Sequence, residues 1–406
     1  MTNDNQHIPS GYKSSPLGII PEDWEVKRLG EVCTFHNGRA YSQKELLSSG
    51  KYRVLRVGNF FTNSSWYWSD MELEDDKYAN NGDLLYAWSA SFGPRFWDGE
   101  RVIYHYHIWK IDSFNKISKD FLYSFLLYDA TKLTNTLQGG TMTHVTKENM
   151  EKRSIAVPPL PEQQRIVSVL SLWDTAIAKQ TALIEQLTLR KRGLMQQLLT
   201  GKKRLKGFEG EWKEVRMQDL ASFAGGGTPS TKRSDFWEGT IPWISSSDLV
   251  EDCLTNNESR YITEEAIANS TTQLLPSKSI LIVTRVGVGK VAIAEHPICV
   301  SQDFTCLTKY DADTLFLAYS LLLTMKKKKS QSQGTSIKGV STDEISKIKL
   351  LLPSIEEQKA IASVLINADK EIEIQKQKLA ALQEQKKGLM QVLLTGKKRI
   401  KTNNLK

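Results

Sequence analysis

The sequence predicts an α+β protein: two pseudo-two-fold related globular domains separated by two long antiparallel coiled-coil helices. Three observations carry this reading. Residues 193–206 read GLMQQLLTGKKRLK and residues 388–401 read GLMQVLLTGKKRIK. Extended without a gap to 157–206 against 352–401, the alignment keeps 24 of 50 positions identical, and its offset of 195 residues is too long for a solenoid repeat. Trp24, Arg28, Leu29, Glu31 and Val32 also align with Trp212, Arg216, Met217, Asp219 and Leu220, so the duplication includes the openings of both domains.

Each copy carries an unbroken apolar heptad. The first seam runs Ile166, Leu170, Trp173, Ile177, Gln180, Ile184, Leu187, Lys191, Leu194, Leu198. The second runs Ile361, Leu365, Ala368, Ile372, Gln375, Leu379, Leu382, Lys386, Leu389, Leu393. Alternating steps of four and three are the coiled-coil signature. About 38 residues at 1.5 Å rise make a rod of roughly 55 Å. Each helix should stop at Gly201 or Gly396, the residue type that accepts a left-handed C-cap. Two polar residues interrupt both seams at matching places, Gln180 with Gln375 and Lys191 with Lys386. Long side chains at a seam either snorkel to water or penalise slipped registers. On the second reading, antiparallel packing sets Gln180 against Lys386 and Lys191 against Gln375.

A chain of 406 residues with 40% apolar and 25% charged residues has room for two or three ordinary globular domains. No apolar run is long enough to span a membrane, Thr314–Met325 being the longest candidate. The start, MTNDNQHIPSGYKSS, lacks a basic-then-apolar signal pattern, so a cytoplasmic location is expected. Cys33, Cys253, Cys299 and Cys306 show no CxxC or metal-finger spacing and are expected to be reduced. The net charge of +8 is unevenly placed: −1 over 1–159, +6 over 160–206, −2 over 207–352 and +5 over 353–406. The helices and their KKR tails supply the excess. That suggests a polyanionic partner or well-solvated helix faces.

In order, the reading gives a flexible arm at 1–20, a first domain at 21–157, a helix at 158–206, a second domain at 207–352, a helix at 353–401 and a tail at 402–406. In the first domain, β-rich runs at Tyr52–Val57, Asp83–Trp88 and Arg101–Ile111 precede a helix at Phe121–Leu133. The second has Ile241-Pro-Trp-Ile, a strand at Ser279–Thr284, the run RVGVGKVAIA and a helix at Thr314–Met325. Both close with a short apolar strand, a proline and acidic residues at the helix start, where they suit the helix dipole. Between these frames the two centres share little sequence.

No catalytic constellation holds up. Arg285-Val-Gly-Val-Gly-Lys290 lacks the spacing and the Ser/Thr of a phosphate-binding loop, and Gly225–Gly227 is not a dinucleotide fingerprint. The tetrapeptides of amino-methyltransferases are absent. Glu357-Gln-Lys359 fits a nuclease ExK only formally, since it opens a helix and its twin is Glu162-Gln-Gln164. His105 and His107, expected on one strand face, lack a third ligand nearby, so core or hydrogen-bonded roles are preferred to metal binding. Trp66, Trp68, Trp88, Trp97 and Trp109 suit base stacking or core packing, and Lys326–Lys329 suits phosphates or a solvated helix end. Neither metal nor cofactor is expected.

The order of segments, with Glu162-Gln163, Glu357-Gln358 and the GLMQ-x-LLTGKKR helix ends, resembles the specificity subunit of type I restriction-modification enzymes. Phe236–Ile244 also follows that family's Phe-Trp-x-Gly-x-Ile-Pro-Trp-Ile pattern, with Asp248 after it, whereas KYRVLRVGNF at 51–60 departs from it. The resemblance implies two target-recognition domains, each reading half of a bipartite double-stranded DNA target. It further implies helices that set the half-site spacing and dock two methyltransferase subunits, which restriction subunits then join. The subunit itself would have no catalytic residues. Polar residues in loops between strands are the expected DNA contacts. These are Arg39, Tyr41, Lys44, Arg56, Asn59, Thr143 and His144 in the first domain, and Thr228, Ser230, Lys232, Ser245, Arg285, Lys290, Ser336 and Lys338 in the second. Two alternatives remain: a lone methyltransferase or nuclease, disfavoured by the absent motifs, and a coiled-coil scaffold without DNA reading, favoured by the near-neutral domains.

Overall fold

A computed structural model describes residues 8–61, 64–89, 91–136, 145–250, 254–255, 257–331 and 339–400. The chain divides into two units, residues 1–179 with 379–406, and residues 180–378. Each long helix, Leu160–Leu198 and Ile355–Leu393, therefore contributes one half to each unit.

In the first unit, Thr34–Asn37, Ile108–Asp112, Leu84–Ser89 and Ser91–Phe96 form an antiparallel sheet in that order. A second sheet runs Tyr67–Ser69, Tyr52–Leu55, Val102–Tyr104, Tyr78–Ala79, with the middle two strands parallel. The helix Lys119–Thr136 packs beside the strand Ser91–Phe96. The second unit repeats the plan. Ala221–Gly225, Phe304–Tyr310, Ile280–Val283 and Val291–Ile293 make the antiparallel sheet. Arg260–Ile262, Ile241–Ile244 and Cys299–Val300 make the mixed one, three strands here, again with one parallel pair, Ile241–Ile244 with Cys299–Val300. The helix Thr314–Gln331 follows. Where a flexible arm was expected, Tyr12–Ser15 and Gly18–Pro21 pair as an antiparallel hairpin that buries Ile20. In each unit a strand near the start then pairs with the one just before a long helix: Glu25–Arg28 with Ser154–Val157, and Lys213–Arg216 with Lys349–Leu352. The two centres thus share a topology that their sequences do not display.

One predicted strand breaks. Arg101–Ile111 is two strands, Val102–Tyr104 and Ile108–Asp112, joined by a turn that Ile108 N closes on His105 O at 2.9 Å. His105 and His107 therefore sit in the turn rather than alternating along a strand. Their rings pack with Tyr106 and Trp88.

Every seam residue from Ile166 to Lys191 and from Ile361 to Lys386 is buried or half-buried. Ile166, Leu170, Met390 and Leu393 join the first unit's core, and Met195, Leu198, Ile361 and Leu365 join the second's. The polar positions pair otherwise than expected. Gln180 Nε2 donates to Gln375 Oε1 at 2.8 Å and to Gln375 O at 3.0 Å. Lys191 is ion-paired with Asp369, which also accepts from the Tyr319 hydroxyl at 2.5 Å. In the first unit, Lys386 meets Asp174 at 2.5 Å. The heptad identified the seam positions but omitted Asp174 and Asp369, which lie outside it and supply the carboxylates.

Both helix stops have the expected geometry, with φ of +68° at Gly201 and +72° at Gly396. Lys203 N and Lys398 N close the ends on Gln197 O and Val392 O, each at 3.1 Å. A Cβ at Gly396 would lie 2.5 Å from Pro21 Cδ, whereas one at Gly201 would lie 3.5 Å from the Trp212 ring. Gly201→Ala should cost about 1–2 kcal/mol from backbone conformation alone. Gly396→Ala should cost measurably more, a ranking that thermal unfolding of the two variants checks. The described cysteines, Cys33, Cys299 and Cys306, are buried thiols, and burial pushes Cys33 up to about 12 and Cys299 to about 11. Among the described residues, no helix is long and apolar enough to cross a membrane.

Candidate nucleic-acid interface

The site rests on a frame that both units build alike. Glu162 is buried at the start of the first long helix and accepts from Trp24 Nε1 at 3.1 Å. Arg399, just past the end of the second helix, grips it through Nε at 3.1 Å and Nη2 at 2.6 Å. In the other unit, Glu357 accepts from Trp212 Nε1 at 3.2 Å and from Arg204 Nε and Nη2 at 2.8 and 2.6 Å. A planar guanidinium meeting both carboxylate oxygens is the strongest form of this contact. Glu357 is 1% exposed and so engaged that an ExK metal role has no geometry here. The neighbouring glutamines hold main chain. Gln163 accepts from Ser118 N at 2.7 Å and donates to Lys116 O and Pro158 O, while Gln358 accepts from Asp313 N at 2.8 Å and donates to Pro353 O.

On this frame each unit presents a loop after its parallel strand pair. Gly38 and Gly226 approach it so closely that a Cβ would fall 2.4 Å from His105 O or 2.2 Å from Ser301 O. Arg39 N then donates to Tyr104 O at 3.0 Å, as Gly227 N does to Val300 O at 2.9 Å.

Several expected contacts gather at this place in the first unit. Arg56 lies with its guanidinium 4.7 Å from the Tyr67 ring centre. His105, held neutral by burial and by the nearby His107 and Arg56, is lowered to about 4 and stacks on Tyr41. Among the described residues the buried Tyr41 hydroxyl has no hydrogen-bond partner, and burial pushes its phenol up. Asn59 Nδ2 donates to Ser65 O at 2.6 Å. Arg39 is committed elsewhere, to Glu45 at 2.7 Å, and that bond with those from Ser42 draws Glu45 down to about 2. Lys44 is exposed on the short turn Gln43–Glu45.

In the second unit, Ser245 caps the turn Ser246–Asp248, accepting from Arg260 Nη2 at 2.7 Å. Lys290 is internal in role, donating to Leu249 O at 2.9 Å and Ser246 O at 3.2 Å. The exposed Thr228 bonds Gln302, Ser230 O accepts from Trp237 Nε1, and Lys232 is exposed. Arg285 lines a cleft of about 590 Å³ with Lys329 and Ser341. Thr143, His144, Ser336 and Lys338 lie outside the described residues, as does Cys253. Of the five tryptophans considered for base stacking, Trp97 and Trp109 are core, and Trp66, Trp68 and Trp88 are half-buried. Among the described residues no group of three His, Cys, Asp or Glu is arranged to hold a metal ion.

The family described as "Type I restriction modification DNA specificity domain" matches twice, over residues 21–189 and 209–384. The chain belongs to this type I specificity family. The MjaVIII specificity subunit of Methanocaldococcus jannaschii is 27% identical over 412 residues, covering 95% of each chain. The EcoR124I/EcoR124II specificity subunit of Escherichia coli is 30% identical over 241 residues, 55% of this chain and 57% of that protein. The crystal structure of the type I S subunit from M. genitalium shares the fold at a TM-score of 0.53 and 15% identity, over 91% of this chain and 96% of that one. A chain from a study of complex assembly and conformational transition in the type I R-M system gives 0.61 at 18% identity, over 92% and 98%.

Within this specificity-family protein, sequence reasoning missed Arg260, Gly38 and Tyr67. Arg260 and Tyr67 lie on strands rather than in loops, so a search of polar loop residues passes over them. The signal for Gly38 was weak, a single glycine whose need is set by a chain segment 66 residues away.

Proposed function

We propose that the chain gives a type I restriction-modification complex its DNA specificity, each globular segment (21–157 and 207–352) reading one half of a bipartite target. The long helices, 158–206 and 353–401, set the spacing of the halves and dock two methyltransferase subunits, which restriction subunits then join. Catalysis resides in those partners. The observation that carries this reading is the repetition of one topology and one Trp–Glu–Arg frame beneath two centres of different sequence. Such a protein is built to present two different surfaces in one way. Sequence is read at base edges by side chains that a rigid scaffold positions.

Co-expression with the methyltransferase subunit of the same locus, followed by methylome sequencing, tests it. The expected result is a split motif modified in both halves. Exchanging residues 207–352 for those of a relative should change one half only. A complex that forms but gives no split motif would leave a scaffold role instead.

A further inference from the structure

The two recognition segments carry different chemistry at one corresponding place. His105 N donates to Leu55 O and Ser301 N to Ile244 O, both at 2.9 Å, so Arg56 and Ser245 occupy the same position after the strand. On the neighbouring strand, Val54 pairs with Tyr67 and Trp243 with Arg260, so these correspond too.

In the second segment the guanidinium is already neutralised. Arg260 is ion-paired with Asp248, lies over the Trp243 ring at 4.6 Å and directs a hydrogen bond to Ser245 Oγ. What this place offers is a hydroxyl pair, Ser245 and Ser247, 2.8 Å apart. In the first segment the guanidinium has an aromatic backing but, among the described residues, no counter-ion. Arg56 is half-buried over Tyr67, itself 37% exposed, and no carboxylate among the described residues pairs with it. A ring beneath a guanidinium fixes its plane and limits its rotamers. Its parallel N–H donors then suit an acceptor pair in that plane, which in a major groove is guanine O6 and N7. Neutral His105 beside it adds no repulsion to the approach.

We infer that Arg56, backed by Tyr67, reads a guanine in one half of the split target, and that the second segment meets DNA at the corresponding place with the Ser245 hydroxyl instead. This rests on the split-target reading proposed above.

The test is methylome sequencing of cells carrying the full chain with its methyltransferase subunit, as wild type, Arg56→Lys, Arg56→Gln and Tyr67→Ala. The wild-type motif should hold a guanine at one fixed position of one half. Arg56→Gln and Arg56→Lys should each lose that preference by about tenfold to a hundredfold, with the other half unchanged. Tyr67→Ala should weaken it while leaving the charge in place. Pull-down of the methyltransferase subunit by each variant confirms that it folds. A wild-type split motif that both Arg56 variants retain would overturn the inference and leave the split-target reading standing. The same holds if Arg56→Lys keeps the motif while Arg56→Gln weakens all sites equally, since that pattern marks a phosphate contact. A wild type without a split motif would overturn both.

Discussion

Replacing Glu357 with alanine should lower the melting temperature by roughly 4–12 °C, with the unit 180–378 opening first. The carboxylate is 1% exposed and accepts from Arg204 and Trp212, so its removal strands an indole N–H and unties the helix start from the chain that follows the other helix. Losing a buried charged acceptor with several donors costs about 2–3 kcal/mol, and each kcal/mol moves a unit of this size by roughly 2–4 °C. Glu356→Ala, one residue away and exposed, should stay within about 0.5 kcal/mol. Glu162→Ala should act in the same way on the unit formed by 1–179 and 379–406. Calorimetry gives the magnitude, and limited proteolysis shows which unit opens. Equal behaviour of Glu356→Ala and Glu357→Ala would refute the frame.

Asp369→Ala should be at least as damaging. Lys191 is 4% exposed and sits 5.5 Å from the Tyr319 ring centre, so deleting Asp369 leaves a buried ammonium without its carboxylate. Breaking one side of a buried pair costs about 3–5 kcal/mol, whereas replacing both partners with apolar residues is often neutral. The double variant Lys191→Met with Asp369→Leu should therefore recover most of the stability, a non-additivity that a double-mutant cycle in denaturant measures. The corresponding pair in the first unit is more open, with the Asp174 side chain 57% exposed, and Asp174→Ala should cost only about 0–1 kcal/mol. Similar losses at both aspartates would show that burial does not set the strength of these pairs.

The elements that follow from local pattern were legible in the sequence: the long helices, their glycine stops, and the strand and proline before each helix. The heptad also identified Gln180 and Lys191 as seam residues. It could not give their partners, because Asp369 lies off the heptad and the offset between two antiparallel helices is decided by packing elsewhere. The Glu-Gln pairs stood out by repetition, but their work depends on Arg399, 237 residues from Glu162, and Arg204, 153 residues from Glu357. The common topology of the centres was invisible because strands require only buried, β-compatible side chains, and Tyr52–Leu55 meets that need with YRVL where Ile241–Ile244 uses IPWI. Arg101–Ile111 was misread since a turn of His-Tyr-His contains neither glycine nor proline. Arg56 and Ser245 were within reach as polar loop residues, but the aromatic ring and the counter-ion that distinguish them were not.

Gln163 and Gln358 hold their segments through peptide groups alone, at Ser118 N and Lys116 O in one case and Asp313 N in the other. A main-chain N–H or C=O is the same whatever side chain accompanies it, proline alone lacking the N–H. Mutational drift at those positions is therefore silent at the anchor, and a recombined gene need preserve only the path of the backbone there. The clamp is indifferent to what it carries, so new specificities can arise without renegotiating the attachment.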